Sequence, residues 1–155
     1  MIIGIYHINI NVSSLETSLA FYEMLGFRVV STFHEKGNAA LDRGLGMPYT
    51  HNDALFLRIG HERRETVIDL VQWHDPKPVG GAPVLNQLGA PRICFRVDDL
   101  DATMTKLAAN GVKFLSDPQT LHFERDARFV LFKDPDGLFL ELVELSPAQP
   151  KKTAI

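Results

Sequence analysis

The sequence predicts an α+β fold: duplicated βαβββ modules forming a curved, cleft-enclosing mixed sheet with helices outside. Three observations carry this. Moving the first half along by 85 positions aligns Val12 with Val97, Leu15 with Leu100, Leu19 with Met104 and Gly26 with Gly111 without a gap. The closing strands align at a shorter offset of 72, Ile68-Asp69-Leu70-Val71 on Leu140-Glu141-Leu142-Val143. Each half also changes from two-residue to helical periodicity and back.

Along the chain, residues 2–12 alternate as a half-buried strand. Ile2, Tyr6, Ile8, Ile10 and Val12 take one face and Ile3, Ile5, His7, Asn9 and Asn11 the other. Ser13-Ser14-Leu15-Glu16 has the S-x-x-E form of a capping box, and Leu15, Leu19, Tyr22 and Leu25 follow at helical spacing up to Gly26, a C-cap glycine. Residues 27–34 resume a strand, and residues 35–53 hold a short helix or a loop. Residues 54–59 and 65–73 read as a hairpin around the charged turn Gly60-His61-Glu62-Arg63-Arg64. The pattern then starts again. Residues 91–97 form a strand, with Ile93, Phe95 and Val97 opposite Arg92, Cys94 and Arg96. Asp98 or Asp99 caps a helix carrying Leu100, Met104 and Leu107, which Asn110-Gly111 ends. Strands follow near 112–116, 127–133 and 138–145, with Asp134-Pro135-Asp136-Gly137 as the last turn.

These elements place one domain over residues 1–145: repeat one at 2–73, a Pro- and Gly-rich connector at 74–90, repeat two at 91–145, and a polar tail at 146–155. With 155 residues and 45% hydrophobic composition, the chain can bury one core. A net charge of −3 gives no electrostatic support for nucleic-acid binding. One cysteine excludes an intrachain disulfide and any Cys-rich zinc site. The opening residues carry no basic region or cleavage site and no stretch reaches membrane-spanning length, so a cytoplasmic protein away from membranes is expected. Dinucleotide, P-loop, HExxH and CxxC motifs are absent.

Against this background, residues 4–145 resemble the vicinal-oxygen-chelate superfamily of glyoxalase, bleomycin-resistance and extradiol-dioxygenase proteins. The carriers are His7-Ile8-Asn9-Ile10, Phe21-Tyr22 with Leu25-Gly26-Phe27, Ile68-Asp69-Leu70, Phe95-Arg96-Val97-Asp98-Asp99-Leu100, and Asp134-Pro135-Asp136-Gly137 through Glu141-Leu142. They specify the fold rather than an activity, because the fold hosts lyases, epimerases, dioxygenases, transferases and metal-free binding proteins. In metal-using members, four strand positions supply His, Glu or Gln, His, and Glu to one divalent cation. The matching residues here are His7, Asp69, Arg92 and Glu141.

Arg92 is the departure, since a guanidinium stays protonated and has no lone pair for a metal. Two readings stand beside each other. In one, His7, Asp69 and Glu141 hold Mn, Fe, Ni or Zn. In the other no metal binds, and Arg92 pairs with the carboxylates or grips a substrate oxyanion. Ring cleavage is disfavoured by the lost ligand. The resemblance thus implies a small-molecule lyase- or isomerase-type enzyme acting on a carbonyl or aromatic substrate in the cleft. Glu141 is the expected base, with Arg92 or a metal as electrophile. Asn9, Cys94, Arg96, Trp73, Phe139 and His51 are the expected substrate contacts. The alternative is a metal-free protein that sequesters a drug or secondary metabolite, and a structural module with a vestigial cleft is a third reading. The resemblance also implies a homodimer.

Overall fold

The computed structural model describes residues 1–60, 66–122 and 125–147. The chain divides into two compact units, Met1–Gly81 and Ala82–Ile155. Each holds one four-stranded mixed sheet, so the predicted duplication is realised as two separate sheets.

In the first unit, β1 (His7–Asn11) leads into α1 (Leu15–Met24) and β2 (Phe27–Lys36). The short helix α2 (Ala39–Leu45) follows, then β3 (His51–Ile59) and β4 (Val67–Asp75). The strand order is β1-β4-β3-β2, with β1 parallel to β4 and the other pairs antiparallel. Helix α1 lies against β2, β3 and β4. Under it Tyr22, Leu57, Ile68 and Leu70 are almost completely buried, and Tyr22 meets the Phe27 ring edge-on at 5.8 Å. Removing such side chains from water is the main stabilisation of the unit.

In the second unit, β5 (Arg92–Val97), α3 (Leu100–Ala109), β6 (Gln119–Leu121), β7 (Ala127–Lys133) and β8 (Phe139–Leu145) repeat the plan. The order is β5-β8-β7-β6, again with the first and last strands parallel. Leu100, Leu107, Val130, Phe132, Leu140 and Leu142 form the core beneath α3.

Several boundaries differ from the sequence expectations. The first strand starts at His7, not at residue 2, and Ile2, Ile3, Ile5 and Tyr6 are exposed. Its partner β4 begins at Val67, opposite His7, so residues 2–5 have no ladder partner among the described residues. Ser14, not Ser13, caps α1, its Oγ accepting from Thr17 N at 3.2 Å. Glu16 therefore falls one position short of closing a capping box. The strand expected at 112–116 reduces to one bridge, Phe114 to Phe132, and the regular pairing moves to β6. Asp99 is the cap of α3, accepting from Ala102 N at 2.8 Å. Most of the expected charged turn, residues 61–64, and tail residues 148–155 lie outside the described residues. No helix among the described residues is long and apolar enough to cross a membrane.

The β7–β8 turn is held by Asp134, whose buried Oδ1 accepts from Asp136 N at 3.0 Å and Leu138 N at 2.8 Å. Gly137 follows at φ +88°, where an added Cβ would stand 2.6 Å from the Ala82 Cβ. Gly111, at φ +87°, has open space at the same point. Gly111→Ala is expected to cost about 1 kcal/mol from the left-handed backbone alone. Gly137→Ala adds a collision and is expected to cost roughly 2–3 kcal/mol. Denaturant unfolding of the two variants checks this, and equal losses would contradict it.

Candidate functional site

Strand alternation sends every second residue to the face away from the helix, and the parallel pairs set which of them meet. In the first module Asn9 lies opposite Asp69, and in the second Cys94 lies opposite Glu141. These are the same pairing under the two sequence offsets, so the repeat read from the sequence is also a repeat of register.

On the first module, Asp69 is only 6% exposed. Its Oδ2 accepts from Asn9 Nδ2 at 2.9 Å, while its buried Oδ1 has no hydrogen-bond partner among the described residues. Burial pushes the Asp69 carboxyl above its ordinary value, and Asn9 and the nearby His7 only partly oppose this. The His7 ring packs 5.5 Å from that of Phe56, which sits opposite Asp69 on β3. Trp73 shares this face and donates from Nε1 to Asn11 Oδ1 at 2.8 Å. The sequence did not single out Phe56.

His51 does not join this group. Its ring lies 4.7 Å from that of His74, next to Asp53. His34 Nδ1 and His74 Nε2 each contact an Asp53 oxygen, at 2.7 and 2.9 Å, and these hydrogen bonds hold the Asp53 carboxyl below its usual range. Asp53 alternates with Ala54 and Phe56, so the cluster occupies the side of the sheet opposite Asn9 and Asp69.

On the second module, Arg92 Nε lies 3.0 Å from Glu141 Oε2. The Glu141 side chain is 15% exposed and the Arg92 side chain 49%. Cys94 is the direct neighbour of Glu141 on β5. Its thiol is pushed up to about 11, first by burial and then by the negative charge of Glu141, with Arg92 opposing. A thiol pushed up in this way ionises less readily than an ordinary one. Phe139 is buried in the row of Arg92 and carries Lys133 Nζ at 4.4 Å from its ring centre. Arg96 is exposed beside Val143. The sequence reading passed over Lys133, although alternation from Ala127 through Phe129 and Leu131 already assigned it to this face.

The metal set inferred from the sequence takes His7 and Asp69 from one module and Glu141 from the other. Within the second module, Glu141 already has a permanent cation as its partner. Among the described residues, no group of three or more His, Cys, Asp or Glu side chains is gathered that could hold a metal ion. Of the three ligand candidates, Asp69 has a buried oxygen without a hydrogen-bond partner among the described residues, which calls for a further positive or hydrogen-bonding group.

A sequence profile of the Glyoxalase/Bleomycin resistance protein/Dioxygenase superfamily matches residues 4–142. An uncharacterized protein of Bacillus subtilis, YwkD, is 32% identical over 147 residues, 91% of this chain and 96% of its own length. The lactoylglutathione lyase of Schizosaccharomyces pombe is 28% identical over 155 residues, 94% of this chain; the chain spans about half (48%) of that relative's length. Among solved structures, a glyoxalase family protein of Bacillus cereus superposes with a TM-score of 0.80 at 19% identity, over 95% of this chain and 97% of that one, a likeness of fold.

Two measurements test the electrostatics of these faces. Cys94 is the single cysteine, so alkylation of the whole protein reads it alone. At pH 8, iodoacetamide labelling is expected to run about 100-fold slower than for an unperturbed thiol, because the thiolate fraction falls tenfold per unit of pKa. Glu141→Gln is expected to speed it, and labelling at the rate of a free thiol would contradict this. For Asp69, a raised carboxyl favours folding only while protonated: its contribution is full below the unfolded carboxylate range and is lost as pH rises through the raised value. Asp69→Asn is therefore expected to melt higher than wild type near pH 8, with the gap closing toward pH 4. A gap independent of pH would count against the buried, unpaired oxygen.

Proposed function

The chain belongs to the Glyoxalase/Bleomycin resistance protein/Dioxygenase superfamily, and within it we propose that it is a small-molecule lyase or isomerase working through an enolate or enediolate. The observation that carries this reading is the Arg92–Glu141 pair, a carboxylate base and a fixed cation 3.0 Å apart on one face of the second module. Arg92 stands at a position where metal-using relatives place a ligand, and in this reading it takes over the metal's electrostatic part.

The chemistry follows from the two groups. Arg92 Nε contacts Glu141 Oε2, the Cys94 thiol also hydrogen-bonds that carboxylate, and in this reading the remaining guanidinium N–H groups face a ligand. A substrate carbonyl accepting from Arg92 acidifies the neighbouring C–H. Glu141 removes that proton, and the oxyanion that develops is held by charge-assisted hydrogen bonds from the guanidinium. Returning the proton to the opposite face of the same carbon gives epimerisation; where that carbon bears a hydroxyl, the intermediate is an enediolate, and protonation of the adjacent carbon with loss of the hydroxyl proton moves the carbonyl. Loss of a group from the next carbon gives a lyase reaction. Cys94 keeps a neutral, weakly polar group beside Glu141, and Phe139 supplies an apolar wall suited to an aromatic or aliphatic body. His7, Asn9, Asp69 and Trp73 are proposed as the ligand-facing groups of the first module. No role is assigned to His51. A homodimer in the cytoplasm is the proposed working state.

A second reading is a metal-free binding protein. What favours it is that the same ion pair satisfies Glu141 without any substrate. The test separates the two. Chelator-treated protein is incubated in heavy water with enolisable ketones, and deuterium uptake at the carbon next to the carbonyl is followed by NMR. Uptake is expected without added metal and is expected to fall about 100-fold or more in Glu141→Gln. Uptake that returns only with stoichiometric metal, and is then lost in His7→Ala, would replace Arg92 by a metal. Tight binding with no uptake would favour the binding protein.

A further inference from the structure

We propose that the ligand of the second module is an anion, and that Arg96 is the residue that reads its charge. This rests on the proposed function in taking the Arg92–Glu141 face as the ligand face. It goes further in naming a second, remote group on the substrate: a carboxylate or similar oxyanion set apart from the reacting carbonyl.

The argument is a charge count along three neighbouring rows of the sheet. The first row across β7, β8 and β5 is Lys133, Phe139, Arg92; the second is Leu131, Glu141, Cys94; the third is Phe129, Val143, Arg96. Three cations and one carboxylate share this face. Arg92 is matched by Glu141, and Lys133 is seated over the Phe139 ring. Arg96 is exposed, has Val143, Phe129 and Gln119 along its row, and makes no ion pair with any carboxylate among the described residues. A guanidinium on a row that holds no acid suits a planar oxyanion brought by a ligand.

The opposite face of the same sheet shows that acids are placed selectively. There Arg128 is held by Asp101 at 2.8 Å and by Glu144 at 3.0 Å, so its charge is answered within the protein. The chain as a whole carries a net charge of −3, so the unanswered positive charge is a local property of the ligand face and not a reflection of bulk composition. Spacing then restricts the ligand. Arg92 and Arg96 are four residues apart on one strand, roughly 13 Å between backbones, and Cys94 lies between them. A carbonyl at Arg92 and an anionic group at Arg96 belong to opposite ends of a molecule, with its apolar body over Cys94, Leu131 and Val143. An aromatic or medium-chain keto acid has this shape.

The test uses 4-acetylbenzoate and its neutral partner 4-acetylbenzamide, which share a ring and an enolisable methyl ketone and differ in the remote charge. Binding to the full chain is measured by calorimetric titration. The benzoate is expected to bind about tenfold or more tightly than the amide, since a charge-assisted contact is lost in the latter. That advantage is expected to disappear in Arg96→Gln and in high salt, and to survive in Lys106→Gln, which makes the same charge change on α3. Equal binding of acid and amide, an unchanged preference in Arg96→Gln, or no saturable binding of the acid would each overturn the proposal. Deuterium uptake into the methyl group of the amide, dependent on Glu141, alongside no preference for the acid would leave the enolate reading standing and remove this one. A preference for the acid that depends on Arg96, with no uptake from either compound, would leave the anion site standing and remove the enolate chemistry.

Discussion

Everything on the polar face of each sheet depends on one parallel strand pair in each module, β1 beside β4 and β5 beside β8. Parallel pairing demands a crossover, which here begins with a helix and continues through two further strands. Its backbone hydrogen bonds join the strands, and the apolar face under the helix selects the register. Once Ile10 meets Leu70 and Phe95 meets Leu142 beneath the helices, alternation leaves no choice about what stands on the other side: Asn9 with Asp69, and Cys94 with Glu141. The burial of Leu70, Leu140 and Leu142 thereby holds the carboxylates in place, and slipping by one residue would exchange the core face for the polar one.

The two modules answer the same problem, a carboxylate set in a largely apolar strand, in different ways. Asp69 has an amide on one oxygen and nothing described on the other, so burial raises its affinity for a proton. Glu141 has the Arg92 guanidinium. One module therefore carries an acid biased toward neutrality, the other an acid whose charge is answered. The neighbouring thiol has a raised proton affinity, first from burial and then from that charge.

Much of this was legible in the sequence. The gapless offset between Val12 and Val97 marks the duplication, and alternation in HINI and RICFR assigns His7, Asn9, Arg92, Cys94 and Arg96 to one side of their strands. Boundaries were less legible where pairing, not propensity, decides them. Residues 2–5 have every mark of a strand and lack a described partner. The segment at 112–116 looks like a strand but makes a single bridge. His51 was read from its neighbourhood in a loop; in the structure it opens β3 and turns to the opposite side, against His74. Phe56 and Lys133 were missed because each matters through a ring contact across strands, to His7 and to Phe139. Such contacts depend on register between distant segments, which no short motif encodes.

The equivalence of register between the modules has a consequence for how such a protein can change. Strands are joined through main-chain atoms, and the helix-side residues carry the core, so the outward side of β5 beyond the Arg92–Glu141 pair, Cys94 and Arg96, contributes little to holding the sheet together. Its side chains can be exchanged with slight cost to folding while the chemistry presented to a ligand is rewritten. A scaffold of this kind separates inheritance of shape from inheritance of activity: kinship read from the core residues transmits the architecture faithfully, and each new activity has to be read from the handful of positions the architecture leaves free.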